Sequence, residues 1–210
     1  MPGLRRWRKE IKMNLLIDPL PQTILVDGAE YPLYTDFRAV LRYDALLKEE
    51  GEENFLKCLS CLLPRLPGNL EETIAEIGWF VSCGREEKRR RPSNKLLGIN
   101  SNTPFDFAVD AERIFSAFRR NDVYGIDLLE IEYLHWWTFM AMLDDLPETV
   151  ALSRIMGYRT LDLTNKDIPK ERKPYYTAMQ NYHKIRARKE ERNEELIKAL
   201  KEGRDPAPYL

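Results

Sequence analysis

The amino-acid sequence predicts a mainly α fold: a helical bundle of about six to seven helices with a small N-terminal β-hairpin. Apolar side chains recur every three or four residues in successive runs, the spacing of a helix face turned to a core. Prolines and glycines interrupt those runs at intervals suited to short interhelical turns. Asp27-Gly28 lies between two short β-prone runs, and an Asp-Gly pair supplies the positive-φ positions of a type I′ turn.

Residues 1–12 are basic and lack a sustained apolar pattern; they read as a flexible leader, or as an upstream start ahead of Met13. In the hairpin, Thr23–Val26 is followed by a second strand that holds Pro32, which cannot donate to a ladder and so belongs at an edge. An isolated hairpin is marginal in water, so it must pack on helices or pair with another strand, including one from another subunit. The first helix starts at about Asp36, turns Phe37, Val40, Leu41 and Leu47 inward, and ends at Gly51. The second uses Phe55, Leu59, Leu62 and Leu63 and stops at Pro64; the third uses Leu70, Ile74, Ile77 and Val81, with Asn69 as N-cap and Gly84 as stop.

The segment 84–104 clusters like charges and turn-forming residues without a helical period, as expected of a mobile loop between two helical halves. Helix resumes at Thr103-Pro104-Phe105-Asp106, with Thr103 as cap and Phe107, Ala111, Ile114, Phe115 and Phe118 on its buried face. The longest near-continuous apolar run, Gly125–Pro147, reads as the central helix. Asp127 and Glu130 form a capping-box pattern, and the stripe Leu129, Tyr133, Trp136, Trp137, Met140 and Leu143 makes Tyr133, Trp136, Trp137 and Met140 the expected structural core. A shorter helix from about Glu148 to Met156 is ended by Gly157, Tyr158–Pro174 connects, and a last helix runs from near Tyr175 to about Lys201. The domain division that follows is a leader at 1–12, a single helical domain at 13–185, and a charged helical extension at 186–210 that projects into solvent or meets a partner.

The chain holds 33 basic and 34 acidic residues, so no global field draws it to nucleic acid or to membrane. It has neither a signal-peptide pattern nor an uncharged apolar run of about eighteen residues, which places it in the cytoplasm. Three cysteines fit reduced thiols better than a disulfide framework.

Four groups of residues invite a chemical reading. Cys58 and Cys61 form a C-x-x-C, but in mid-helix and without a second pair for zinc, so buried thiols are the plainer account. His135 has carboxylates near it in sequence, yet no nucleophile elbow, phosphate-cradling loop or His-x-x-x-His accompanies it; a hydrogen-bonded core histidine is the simpler assignment. Neither catalytic, cofactor-binding nor metal-ligating residues are assigned, and the protein is read as a non-enzyme. The basic clusters Lys88–Arg91 and Lys184–Lys189 are diluted by glutamates and lack a nucleic-acid-binding motif; solvated surfaces are the plainer account. For partner contact the candidates are Tyr175, Tyr176, Arg89, Arg90 and Arg91, tyrosine being enriched at interface hot spots.

Several separated motifs occur together: Asp106 and Asp110, Tyr124–Leu128, His135–Trp137, Gly157–Thr160, and the opening MNLLIDPLPQTILVDGAEYPLYTDFR from Met13. In this order they resemble a family of proteins from tailed phages and prophages of Gram-positive bacteria, the bacteriophage "gp fifteen" family, over about Met13 to Ile185. The resemblance implies no catalytic residues. It implies a gene beside that of the tape-measure protein of a long non-contractile tail, a position associated with tail-assembly chaperones. The partners so implied are the tape-measure protein and other tail proteins, in the cytoplasm of the bacterial host, with homo-oligomerisation as a further association. A minor structural or connector component of the virion and a nucleic-acid-binding phage regulator are the alternatives.

Overall fold

The computed structural model describes residues 14–49, 52–85, 93–186, 198 and 202. The protein is mainly α with a two-stranded antiparallel hairpin near its N-terminus: β1 (Thr23–Val26), β2 (Ala29–Pro32), α1 (Phe37–Leu47), α2 (Glu52–Leu62), α3 (Leu70–Val81), α4 (Asn94–Leu97), α5 (Ala111–Arg119), α6 (Trp136–Asp144), α7 (Ala151–Thr160) and α8 (Lys173–Tyr182). The chain divides into two compact units, one of residues 1–91 and 112–147, the other of 92–111 and 148–210.

In the first unit the hairpin pairs Thr23 with Pro32 and Val26 with Ala29. Asp27 and Gly28 take φ of 48° and 78°, the left-handed pair that the turn requires. Ile24, Leu25 and Val26 are buried, and β1 packs on α3. The turn is tied to the start of that helix: Glu72 Oε2 accepts the Asp27 N–H at 3.0 Å, and Asn69 Nδ2 donates to Asp27 Oδ1 at 2.8 Å. Asn69 also caps α3 by accepting from Glu72 N. The buried face of α3 is Thr73, Glu76, Ile77 and Phe80, rotated from the expected stripe, so Leu70 and Ile74 face outward.

The central helix is shorter than expected. Residues 126–135 are turns and extended chain, and helix begins only at Trp136, with His135 rather than Asp127 at its N-cap. Backbone groups needed for an earlier start are committed elsewhere. Arg38 Nη2 donates to the carbonyls of Leu128 and Ile131 at 2.8 and 2.7 Å, Leu134 N donates to Asp36 Oδ2, and Trp136 N donates to Thr35 O. Asp127 makes a single turn instead, accepting from Leu129 N through its side chain. Leu129 is consequently 81% exposed and Tyr133 51% exposed, which removes Tyr133 from the expected core; its hydroxyl meets Thr35 Oγ1. Trp136 and Trp137 are buried, and Met140 is half-buried.

Asp36 and His135 form an antiparallel bridge that sets the starts of α1 and α6 side by side. Phe139 stacks on Phe37 at 4.7 Å and on Phe118 at 5.2 Å, which closes the core between α1, α5 and α6. The two indoles finish α3: Trp136 Nε1 donates to Val81 O and Trp137 Nε1 to Phe80 O, satisfying two of the carbonyls a helix end leaves open.

In the second unit, residues 107–110 are turns and α5 starts at Ala111, not at Pro104. Asp106 Oδ1 accepts from Ala108 N and Val109 N, so the cap forms a local turn. Part of the expected loop is ordered: α4 is a single helical turn, and Ile99 bridges to Leu161. Gly157 does not stop α7, which continues to Thr160; nothing lies within 4 Å of a Cβ placed there. α8 ends at Tyr182, with His183 as its C-cap; of the expected continuation to about Lys201 only Lys184–Arg186 and the helical Lys198 are described, and the rest lies outside the described residues. No helix among the described residues is long and apolar enough to cross a membrane.

Candidate partner-binding surface

Beneath the surface of the second unit lies a buried ion pair. Arg159, near the C-terminal end of α7, meets Asp110 through Nη1–Oδ2 at 2.6 Å and Nη2–Oδ1 at 3.1 Å, a two-pronged contact that matches guanidinium to carboxylate. Both side chains are almost fully buried. Arg159 also donates from Nη1 to Pro104 O and from Nε to His183 O, at 3.1 and 2.5 Å. One residue thereby fixes the 104–110 turns, α7 and the end of α8. Amide side chains complete the frame: Gln180 Nε2 donates to the carbonyls of Tyr158, Arg159 and Leu161 at 3.0–3.1 Å, and Asn100 and Asn102 both donate to Arg159 O.

In α7 Arg159 is buried, and its neighbour Tyr158, turned about 100° round the helix, is only half-buried. There Tyr158 meets rings from α8. Its centroid lies 6.3 Å from Tyr175 and 6.5 Å from Tyr176, and those two are 5.4 Å apart. The Tyr158 and Tyr175 hydroxyls are 3.2 Å apart, a bond that first of all pushes the Tyr175 phenol above its ordinary pKa. His183 lies nearly parallel to Tyr158 at 6.1 Å, and Tyr182 meets His183 edge-on at 4.8 Å. Tyr175 is 53% exposed and Tyr182 81% exposed, large amphipathic surfaces held by a rigid frame.

The remaining candidates fall elsewhere. Arg89, Arg90 and Arg91 lie outside the described residues, as do Arg188 and Lys189. His135 is held at both nitrogens: Nδ1 accepts from Trp137 N and Nε2 donates to Pro21 O, each at 3.0 Å. Burial pushes its pKa below the ordinary histidine value, so near neutral pH it is an uncharged helix cap. All three cysteines are free thiols; burial raises Cys58, and raises Cys83 to about 11, which keeps both protonated. No group of three or more His, Cys, Asp or Glu among the described residues could hold a metal ion.

The bacteriophage Gp15 protein family model matches residues 16–185. The chain belongs to that family. No curated protein and no solved structure matches it. Two of the separated motifs that carried the resemblance meet in the second unit, Asp110 with Arg159 of the Gly157–Thr160 segment; in the first, the Tyr124 hydroxyl donates to Met142 O near the end of α6 while His135 caps its start. In both places they act as fasteners. Sequence reasoning missed Arg159, Gln180, Tyr158 and Tyr182; the one available signal was the Tyr-Arg pair at 158–159, and its meaning depends on Asp110 across the fold.

Proposed function

We propose that this phage protein is a non-enzymatic tail-assembly factor that binds the tape-measure chain before tail-tube subunits assemble along it. The observation that supports this most is membership of the bacteriophage family over residues 16–185. The gene position implied by the resemblance supplies the partner: a long helical chain that must be kept soluble. The tyrosine patch of α7 and α8 suits that task. Its exposed rings offer amphipathic anchors to the apolar stripe of a helix, and little side-chain entropy is lost on contact because the rings are already packed on one another.

Co-expression with the tape-measure protein of the same phage tests the proposal. The expected result is that the tape-measure chain becomes soluble and co-purifies with this protein. If it stays insoluble while this protein is found in purified virions by mass spectrometry, a structural connector role replaces the chaperone role.

A further inference from the structure

Two thiols share one side of α2. Cys58 and Cys61 stand three residues apart in the helix Glu52–Leu62, and both are free. Cys58 is buried and Cys61 half-buried, so the pair runs from the interior toward solvent. The two are close enough for the charge of Cys61 to bear on Cys58. Their surroundings are apolar: α1 packs on α2, Leu59, Leu62 and Leu63 are buried, and Tyr43 of α1 lies within electrostatic reach of Cys58.

Helical spacing opposes a direct sulfur–sulfur bond. Side chains three residues apart on a helix have Cβ atoms about 5–6 Å apart, wider than the roughly 3.5–4.5 Å that a disulfide bridges. An ion between the sulfurs adds two metal–sulfur bonds, each about 2.3 Å long in zinc sites, and so spans the wider gap. Its identity follows from the ligands. No group of three or more His, Cys, Asp or Glu among the described residues could hold a metal ion, so zinc and iron–sulfur clusters lack their ligand set here. Burial raises the Cys58 thiol above its ordinary value, and sulfur is in any case a poor partner for magnesium or calcium. A soft monovalent ion content with two thiolates meets these conditions, and Cu(I) is such an ion.

We propose that Cys58 and Cys61 bind one Cu(I) ion between them. Two S–H bonds break and two Cu–S bonds form; both protons leave to solvent, and the copper keeps its oxidation state. Apolar packing around Cys58 keeps away the oxygen and nitrogen ligands that Cu(II) prefers. The ion ties together the last turn of α2, whose Leu62 carbonyl accepts the Tyr34 N–H at 2.8 Å, so its capture steadies the segment that joins the hairpin to α1. The site belongs to the first unit and does not depend on the assembly role proposed above.

The test titrates the reduced full chain with Cu(I) under nitrogen in the presence of bicinchoninate, a chromogenic chelator, and counts retained copper by native mass spectrometry. One ion per chain is expected to resist the chelator, with a sulfur-to-copper charge-transfer band in the near ultraviolet and a raised melting temperature. Cys58→Ser and Cys61→Ser lose the copper and the melting shift, whereas Cys83→Ser keeps both; these are the three cysteines of the chain. Because Cys61 is half-buried, its serine variant, checked for unchanged circular dichroism, decides the question even where Cys58→Ser disturbs the core. Surrender of the copper to the chelator, its retention by Cys61→Ser, dependence on Cys83, or one ion shared between two chains overturns the proposal.

Discussion

Replacing Arg159 by methionine keeps an unbranched apolar stem but removes both guanidinium bonds to Asp110 and the bonds to Pro104 O and His183 O. The Asp110 carboxylate, at 0% exposure, then loses the cation that offsets its desolvation. Removing one member of a buried pair costs about 3–5 kcal/mol, because the survivor stays buried without its counter-charge, even though the Asp106 N–H still donates to Asp110 Oδ2. With a urea dependence of about 2 kcal/mol per molar, the unfolding midpoint falls by roughly 2 M. Asp110→Asn, which leaves the guanidinium buried without its counter-charge, has a loss in the same direction. The double substitution separates pair from parts: its cost falls short of the sum by about 2–3 kcal/mol, the upper range for residues in direct contact. Urea titration followed by far-ultraviolet circular dichroism measures all four proteins. Single losses under about 1 kcal/mol that add independently would refute the reasoning, since the fastening of the 104–110 turns and α8 to α7 would then not depend on the pair.

Three further expectations follow from local geometry. Gly84→Ala places a Cβ 2.9 Å from Trp137 Cη2 at a φ of +64°, so thermal melting should show a loss of about 1–3 kcal/mol, whereas Gly157→Ala, with open space in a helix, should gain about 0.5–1 kcal/mol. Leu128→Ala should cost about 2 kcal/mol or more in denaturant titration and Leu129→Ala less than about 0.5, the opposite of what a central helix through 125–147 would give. The pH dependence concerns His135, whose folded pKa burial holds below 6.5. The unfolded chain therefore binds the proton more readily, so this contribution to stability is full above about pH 6.5 and is lost as pH falls through the folded value. Protonation also ends the Nδ1 cap of α6. Melting between pH 5 and 7.5 should show the decline, and His135→Asn, which retains a cap but does not titrate, should flatten it.

Much of the fold was legible because local chemistry and tertiary packing agree there. Asp-Gly forms the hairpin turn, Asn69 caps α3, and Pro64 follows the end of α2. The central helix misled because its apolar period continues through Leu128–Leu134 although the backbone there bonds to Arg38, Asp36 and Thr35. Those partners lie about a hundred residues away, and no local pattern announces them. Gly157 misled for a simpler reason: an exposed glycine weakens a helix without ending one when packing on both sides persists. For the surface, composition pointed to Tyr175 and Tyr176, but Tyr158 and Tyr182 join them only once α7 and α8 are packed together.

The most direct measurement of the proposed role is the light-scattering mass of this protein after co-expression with its tape-measure chain, beside a Tyr175→Ser, Tyr182→Ser variant. The account predicts one soluble species containing both chains for the unaltered protein. It predicts the variant alone, folded and without the tape-measure chain. A complex of unchanged mass and yield from the variant would contradict the tyrosine patch as the binding surface; this protein eluting without the tape-measure chain in both cases would contradict the chaperone role itself.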